Sequence, residues 1–295
     1  MSWRVVVIHN TAKLDLQLGY LVVRSDMNTT KIHISEIGLL LIESTSVSLT
    51  VGLLAELTRQ KVKVIFCDQK RNPSSELIGY YGSHDTSNKV RTQINWSRFI
   101  KDSVWTEIVR EKIKQQECFL RELGKEEEAR LLSGYSRAVH WKDETNREGH
   151  AAKVYFNALF GMDFSRSQDN NINAALNYGY STLLSAFNRE IVANGYITQL
   201  GLFHDNMFNQ FNFGSDLMEP FRILIDRIVY NMNLIDFEHE QKMKLVNVLN
   251  GEVYMEGKHF IVNNAIKRYT KSVFDAINDS DISLLRFYSD RKSVV

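Results

Sequence analysis

Three side chains of this 295-residue chain could together hold a divalent cation: Glu148, His204 and Glu219. Two carboxylates and one imidazole supply hard oxygen donors and one borderline nitrogen, a set that suits Mg2+ or Mn2+ better than a structural zinc. An ion so held could activate a water or a 3′-hydroxyl and stabilise charge on a phosphodiester. Spacing alone does not bring the three together, and each has a plainer reading. Glu219 belongs to a polar stripe of Asp216, Glu219, Arg222 and Asp226 on a segment otherwise apolar through Leu217, Phe221, Leu224 and Ile228. A helix apolar over most of its surface is largely buried, and buried carboxylates then need Arg222 or a cation as partner. The same stripe also reads as a surface pair of Arg222 with Asp226, with Asp216 and Glu219 as a capping box before Pro220. Glu148 heads the apolar face of Ala152, Tyr155 and Leu159, yet it also lies in a first helical turn near Thr145, where a carboxylate suits the helix dipole. His204 follows the apolar run Leu200-Gly201-Leu202-Phe203, a position where a histidine usually caps or packs.

Other chemistries lack their motifs. There is no Gly-x-Gly-x-x-Gly, no phosphate-binding Gly-x-x-x-x-Gly-Lys-Ser/Thr, no His-Glu-x-x-His and no Gly-x-Ser-x-Gly. The two cysteines, Cys67 and Cys118, form no Cys-x-x-Cys pair, so a cysteine-built zinc site is excluded and a reduced, cytoplasmic chain is expected. The opening segment Met1–Asn10 turns polar too early for a signal peptide, and no run of apolar residues is long enough for a membrane span. The 36 basic and 35 acidic residues leave a net charge of +1, which favours no nucleic-acid partner by itself. Any DNA surface must be a local cluster made by folding. Arg222 beside Glu219 is one candidate. Lys267, Arg268 and Lys271, at spacings of three and four on the last long helix, are another, and they read equally well as a solvated face.

The elements that must position these residues change character along the chain. Up to about residue 75 short apolar stretches alternate with turns: Arg4–Ile8, Leu14–Leu18, Leu21–Val23, Ile32–Ile34, Gly38–Ile42 and Val62–Cys67 read as strands, and Ser48–Gln60 as one helix. Arg71–Ser75 punctuates the end, and the polar run from Gly82 to Asn88 reads as a linker. Helical periodicity follows over Ile94–Leu123, Glu126–Leu132, Thr145–Phe160, Asn173–Ala193, Asp216–Ile235 and Asn263–Ile277, with a hairpin or turn over Val253–Val262. The expected fold class is α+β: a small N-terminal β domain, sandwich-like, over residues 1–75, a linker over 76–92, and a larger all-helical domain over 93–295. So small a β domain has a limited core and would gain from pairing with a second copy.

At these residues the chain strongly resembles the CRISPR-associated adaptation integrases, in the version found in type II systems. Asn146-Arg147-Glu148-Gly149-His150, Leu200-Gly201-Leu202-Phe203-His204 and Asp216-Leu217-Met218-Glu219-Pro220-Phe221-Arg222 match the family's three metal-ligand segments in order. Asn177-Tyr178-Gly179-Tyr180 looks like its tyrosine helix, with Tyr178 as the active-site tyrosine. Asp216 resembles its accessory acid and Arg222 its basic residue beside the site. Many relatives carry an Asn-Pro pair before that helix, where this chain has Asp169-Asn170-Asn171-Ile172. The resemblance implies a metal-dependent integrase that inserts short foreign DNA into a CRISPR array, each 3′-hydroxyl attacking one strand at the leader-side repeat. It implies homodimers bridged by a small dimeric ferredoxin-like partner. In type II systems a ring-shaped DNA-end-binding accessory protein and the RNA-guided effector nuclease join them. The same ligand set would serve a metal-dependent DNA nuclease acting by hydrolysis, and a non-catalytic DNA-binding scaffold is the reading of another class.

Overall fold

A computed structural model describes residues 4–25, 28–69, 71–77, 79, 83–232 and 234–289. The N-terminal region comprises β1 (Arg4–Ile8), β2 (Ala12–Gln17), β3 (Tyr20–Arg24), β4 (Thr29–His33), β5 (Ile37–Ile42), β6 (Val47–Leu49), α1 (Val51–Arg59), β7 (Lys63–Cys67) and β8 (Pro73–Leu77). They make two four-stranded sheets, ordered β1-β5-β7-β8 and β4-β3-β2-β6. In the first sheet β1, β5 and β7 run parallel and only β8 is antiparallel. Parallel strands are covered on both faces, and all six residues of β5 are buried. Alternation along β5 divides the two cores: Leu40 and Ile42 join Leu14, Leu53 and Val64 in the N-terminal core, whereas Leu39 and Leu41 join the core of the helices. This parallel sheet lies between the second sheet with α1 on one side and the helices on the other.

The C-terminal helical domain follows with α2 (Thr86–Ile94), α3 (Arg98–Glu122), α4 (Glu126–Arg137), α5 (Arg147–Phe160), α6 (Asn171–Ala193), α7 (Asn212–Leu217), α8 (Arg222–Tyr230) and α9 (His239–Val246). The hairpin β9 (Glu252–Met255) and β10 (Lys258–Ile261) then leads into α10 (Val262–Asn278). The long α3 runs through the middle, with Val104, Trp105, Ile108, Val109 and Ile113 fully buried.

Three boundaries differ from the sequence expectation for identifiable reasons. The expected linker over 76–92 contains most of α2, while Gly82 and its neighbours at 80–81 lie outside the described residues. Pro73 opens β8, an edge position where its missing N–H costs nothing, so the apparent end of the β region continues as a strand. The continuous helix expected over Asp216–Ile235 is broken. Pro220 has no N–H to donate, and the chain passes from α7 through a 3-10 turn at Glu219–Phe221 into α8. Asp216 and Glu219 therefore sit on different pieces and do not form a capping box.

Candidate metal and phosphodiester site

Glu148 is placed by the start of α5. Asp143, itself buried, accepts the backbone N–H groups of Arg147 at 2.8 Å and Glu148 at 2.9 Å, satisfying donors that a helix start leaves unpaired. The Lys142 N–H donates to Thr106 Oγ1 at 2.9 Å and ties this turn to α3. Glu148 thereby faces α3 and meets Lys112, whose Nζ lies 2.5 Å from Glu148 Oε1. The same Nζ lies 2.5 Å from Oε2 of Glu219, which is 3% exposed in the 3-10 turn. Arg222, the next residue after that turn, reaches Glu219 Oε1 at 2.9 Å and places its guanidinium 4.6 Å from the Tyr180 ring centroid. Burial alone would raise the Glu219 carboxyl, but the Arg222 and Lys112 charges outweigh it and hold the group at about 2. For Lys112 burial acts downward, and the Glu148 and Glu219 charges more than offset it, so the ammonium is held above its usual range.

His204 lies in the loop between α6 and α7, and Asp216 organises that loop. The fully buried Asp216 carboxylate accepts the backbone N–H groups of Leu202 (2.6 Å), Phe203 (3.1 Å) and His204 (3.1 Å), and it lies 2.5 Å from His204 Nδ1. Only glycine fits at 201, because a Cβ there would stand 2.5 Å from the His204 carbonyl and 2.6 Å from Asp216 Oδ2. Phe203 stacks on Trp105 of α3 with centroids 4.7 Å apart and pins the loop to the same helix that carries Lys112. The hydrogen bond to Asp216 raises the His204 imidazole, with burial opposing it and Glu219 and Glu148 within electrostatic reach. With Nδ1 on Asp216, the ring presents Nε2 outward, the arrangement a carboxylate-oriented metal ligand uses.

Glu148, Glu219 and His204 are thus gathered around α3, but not closed into a ligand shell. Among the described residues their donor atoms do not all come within 4.8 Å of one another. Lys112 fills the gap: its ammonium stands between the two carboxylates and is the partner of Glu219 Oε2. Two carboxylates converging on one cationic position, and an imidazole oriented by a carboxylate, fit a divalent ion. Lys112 was not singled out from the sequence; it sits in a Lys-, Glu- and Gln-rich stretch that looks like a solvated helix face.

The other expected site residues separate into two groups. Arg222 is in the site and pairs with Glu219, not with Asp226. Asp226 instead accepts hydroxyl hydrogen bonds from Tyr180 at 2.5 Å and Tyr155 at 3.1 Å. Tyr178, expected as the active-site tyrosine, directs its hydroxyl to Glu43 Oε1 at 3.3 Å. Residues two apart on a helix point to opposite sides, so with Tyr180 under Arg222, Tyr178 faces the β region. Lys267, Arg268 and Lys271 lie exposed along α10. Arg268 is engaged with Glu256 at 2.9 Å and lies 4.6 Å from the Phe260 ring centroid. Neither cysteine forms a disulfide, and among the described residues no helix is long and apolar enough to cross a membrane.

The chain is similar to known proteins in sequence and in fold. A family model described as CRISPR associated protein Cas1 matches residues 5–245. The chain is 32% identical over 291 residues to the CRISPR-associated endonuclease Cas1 of Neisseria meningitidis serogroup C (strain 8013), covering 97% of this chain and 96% of that protein. Its fold is similar to a chain in the structure titled "Partial Cas6-RT-Cas1--Cas2 complex", with a TM-score of 0.68 and 16% identity over 99% of this chain and 100% of that one. It is also similar to the structure titled "Casposase bound to integration product", with a TM-score of 0.73 and 18% identity over 96% of this chain and 92% of that one. The α3-centred group of acids, histidine and bases thus lies in a chain that belongs to the Cas1 family of CRISPR-associated proteins.

Proposed function

We propose that this protein is a divalent-metal-dependent DNA integrase that inserts short foreign DNA into a CRISPR array by 3′-hydroxyl transesterification, working in the cytoplasm of a type II system. The observation that carries the reading is the convergence of Glu148 and Glu219 on one buried cation position, with His204 oriented beside them by Asp216. Glu148, His204 and Glu219 would hold Mg2+ or Mn2+, which when bound supplies positive charge at the reacting phosphodiester. The chain's own residues do the rest. Asp216 fixes the imidazole tautomer and the loop that presents it. Arg222, stacked on Tyr180 and paired with Glu219, offers guanidinium N–H groups to a phosphate oxygen. Lys112, between the two carboxylates, adds with Arg222 the positive charge that holds the Glu219 carboxyl low. Such a site aligns and stabilises charge and needs no protein nucleophile, because the attacking hydroxyl belongs to the DNA.

The assembly expected from the family is a homodimer formed mainly by the N-terminal β region and bridged by a small Cas2-type partner. Double-stranded prespacer and leader-repeat DNA are the substrates, with the ring-shaped accessory protein and the effector nuclease as further partners. The likeness to chains solved with Cas2 and with an integration product supports this reading of partners and DNA. The Neisseria relative is named an endonuclease, which keeps hydrolysis as the competing reading. A strand-transfer assay decides between them: purified protein is incubated with prespacer-like duplexes and a supercoiled plasmid bearing leader and repeat. Joined products that require Mg2+ or Mn2+ and vanish with Glu148→Ala are expected. Cut products without joining would leave a nuclease.

A further inference from the structure

A second set of metal-ligand side chains lies away from the α3 site, where the β region meets the helices. His9 follows β1 directly and Glu43 follows β5 directly. These strands are parallel neighbours paired Ile8 to Ile42, so both side chains emerge together at the strand ends. His239 is the first residue of α9. His9 Nδ1 lies 2.9 Å from Glu43 Oε2 and His239 Nδ1 lies 3.4 Å from the same oxygen. All three donor atoms fall within 4.8 Å of one another, the only such group among the described residues. The two imidazoles meet edge to face, with centroids 4.1 Å apart.

Two features of this cluster call for a cation. The Glu43 side chain has no solvent exposure, and burying an ionised carboxylate is costly without compensation. His239 Nδ1 is buried and makes no hydrogen bond although it points at that carboxylate. Meanwhile the other carboxylate oxygen, Oε1, accepts from the Tyr178 hydroxyl, which fixes the orientation of Oε2 toward the histidines. A carboxylate held by an outer hydrogen bond is a usual feature of metal centres. Neighbouring donors of a tetrahedral zinc stand about 3.3 Å apart when each bond is about 2.0–2.1 Å, and the 2.9 and 3.4 Å separations bracket that value. Cys67 comes next in the row of strand ends, but it is not among the side chains whose donor atoms lie within 4.8 Å of one another. Lys242, one turn along α9, points elsewhere: its ammonium is 3.4 Å from Asn72 Oδ1 and 5.5 Å from the Tyr178 ring centroid.

We propose that His9, Glu43 and His239 form a second divalent-metal site, of zinc class, with solvent completing the fourth position and Tyr178 as its outer-sphere support. Partial exposure of both histidines gives the ion a path in. The bond would join β1 and β5 to α9, and through Tyr178 to α6. Its role would be to fix the β region against the helical domain, independent of the phosphodiester chemistry. This also gives Tyr178 a function on the side of α6 away from Arg222.

The test uses full-length, chelator-treated protein carrying Glu148→Ala, so that the α3 site is disabled, and Zn2+ as probe. Zinc bound per chain after desalting and the zinc-induced rise in melting temperature are measured. About one equivalent and a clear rise are expected. Adding His9→Asn or His239→Gln should remove both effects, and adding Tyr178→Phe should weaken zinc affinity by about tenfold to a hundredfold. Since His9 is half-exposed, the His9→Asn chain should melt near its parent when zinc is absent, which separates lost metal from lost fold. Zinc binding unchanged by His9→Asn and His239→Gln, or no zinc bound by the Glu148→Ala chain, would overturn the proposal.

Discussion

Lys112 and Asp226 carry the sharpest consequences at the scale of single residues. Lys112 stands between Glu148 and Glu219, so replacing it with methionine leaves two carboxylates facing each other with Arg222 as the remaining nearby charge. Removing one partner of a buried pair costs about 3–5 kcal/mol. The Lys112→Met protein should therefore melt lower than wild type without metal, and added Mn2+ should raise its melting temperature more than it raises that of wild type. Equal shifts would show that Lys112 and the ion do not share a position. Asp226 is a buried acid raised to about 6: burial pushes it up, and the Tyr180 and Tyr155 hydrogen bonds only partly offset that. Its folded form holds the proton more tightly than the unfolded chain, so its stabilising contribution is complete below about pH 4 and is lost as the pH rises through about 6. The gap from 3.8 to about 6 is worth about 3 kcal/mol. Asp226→Asn stays neutral at every pH. Urea unfolding should therefore show the variant gaining about 3 kcal/mol on wild type between about pH 4 and about pH 8, and a constant difference would refute the assignment. Glu148, His204, Glu219, Asp216 and Arg222 were legible as chemistry-bearing types. Lys112 was not, because a lysine among lysines and glutamates on a helix has no periodic mark that separates a buried cation from a solvated one.

Among the elements, α10 tests how DNA is held. Its buried face includes Ile266, Tyr269, Thr270 and Val273, leaving Lys267 and Lys271 exposed one turn apart. Each phosphate contact releases condensed counterions, so a helix in the DNA path contributes to the salt dependence of binding. Lys267→Ala with Lys271→Ala should weaken binding to all duplexes alike and flatten the plot of log affinity against log salt. An unchanged slope in a filter-binding series would take α10 off the DNA path. Element boundaries were less legible than element types. The apolar spacing around Leu217, Phe221 and Leu224 continues through Pro220 as if one helix ran on, yet the missing N–H splits it into α7, a 3-10 turn and α8. That break lets Asp216 turn to the His204 loop while Glu219 turns to Lys112.

The whole molecule is expected to work as a pair. Leu18 is 91% exposed at the turn between β2 and β3, and Leu16 and Tyr20 beside it are also exposed. Apolar side chains gathered at one hairpin end are suited to a partner's surface. If the β region forms the dimer, Leu16→Ser with Leu18→Glu should shift light scattering from the dimer to the monomer mass, with circular dichroism unchanged. A dimer that survives both substitutions would place the interface elsewhere.

The sequence by itself determined the α+β order, the helical character of the larger part and the donor types of the α3 site, because these reside in local periodicity, composition and contiguous motifs. Tertiary structure alone decided that β1, β5 and β7 pair in parallel, since parallel partners are distant in the chain and announce no turn. It alone decided that Tyr180 and not Tyr178 supports Arg222. Helix phase fixes that the two point apart, but only packing against α8, with Gly179 admitting Ile225 within 2.5 Å of where a Cβ would stand, fixes which side faces the site. And it alone brought His9, Glu43 and His239 together from three separate elements, for which no spacing rule exists.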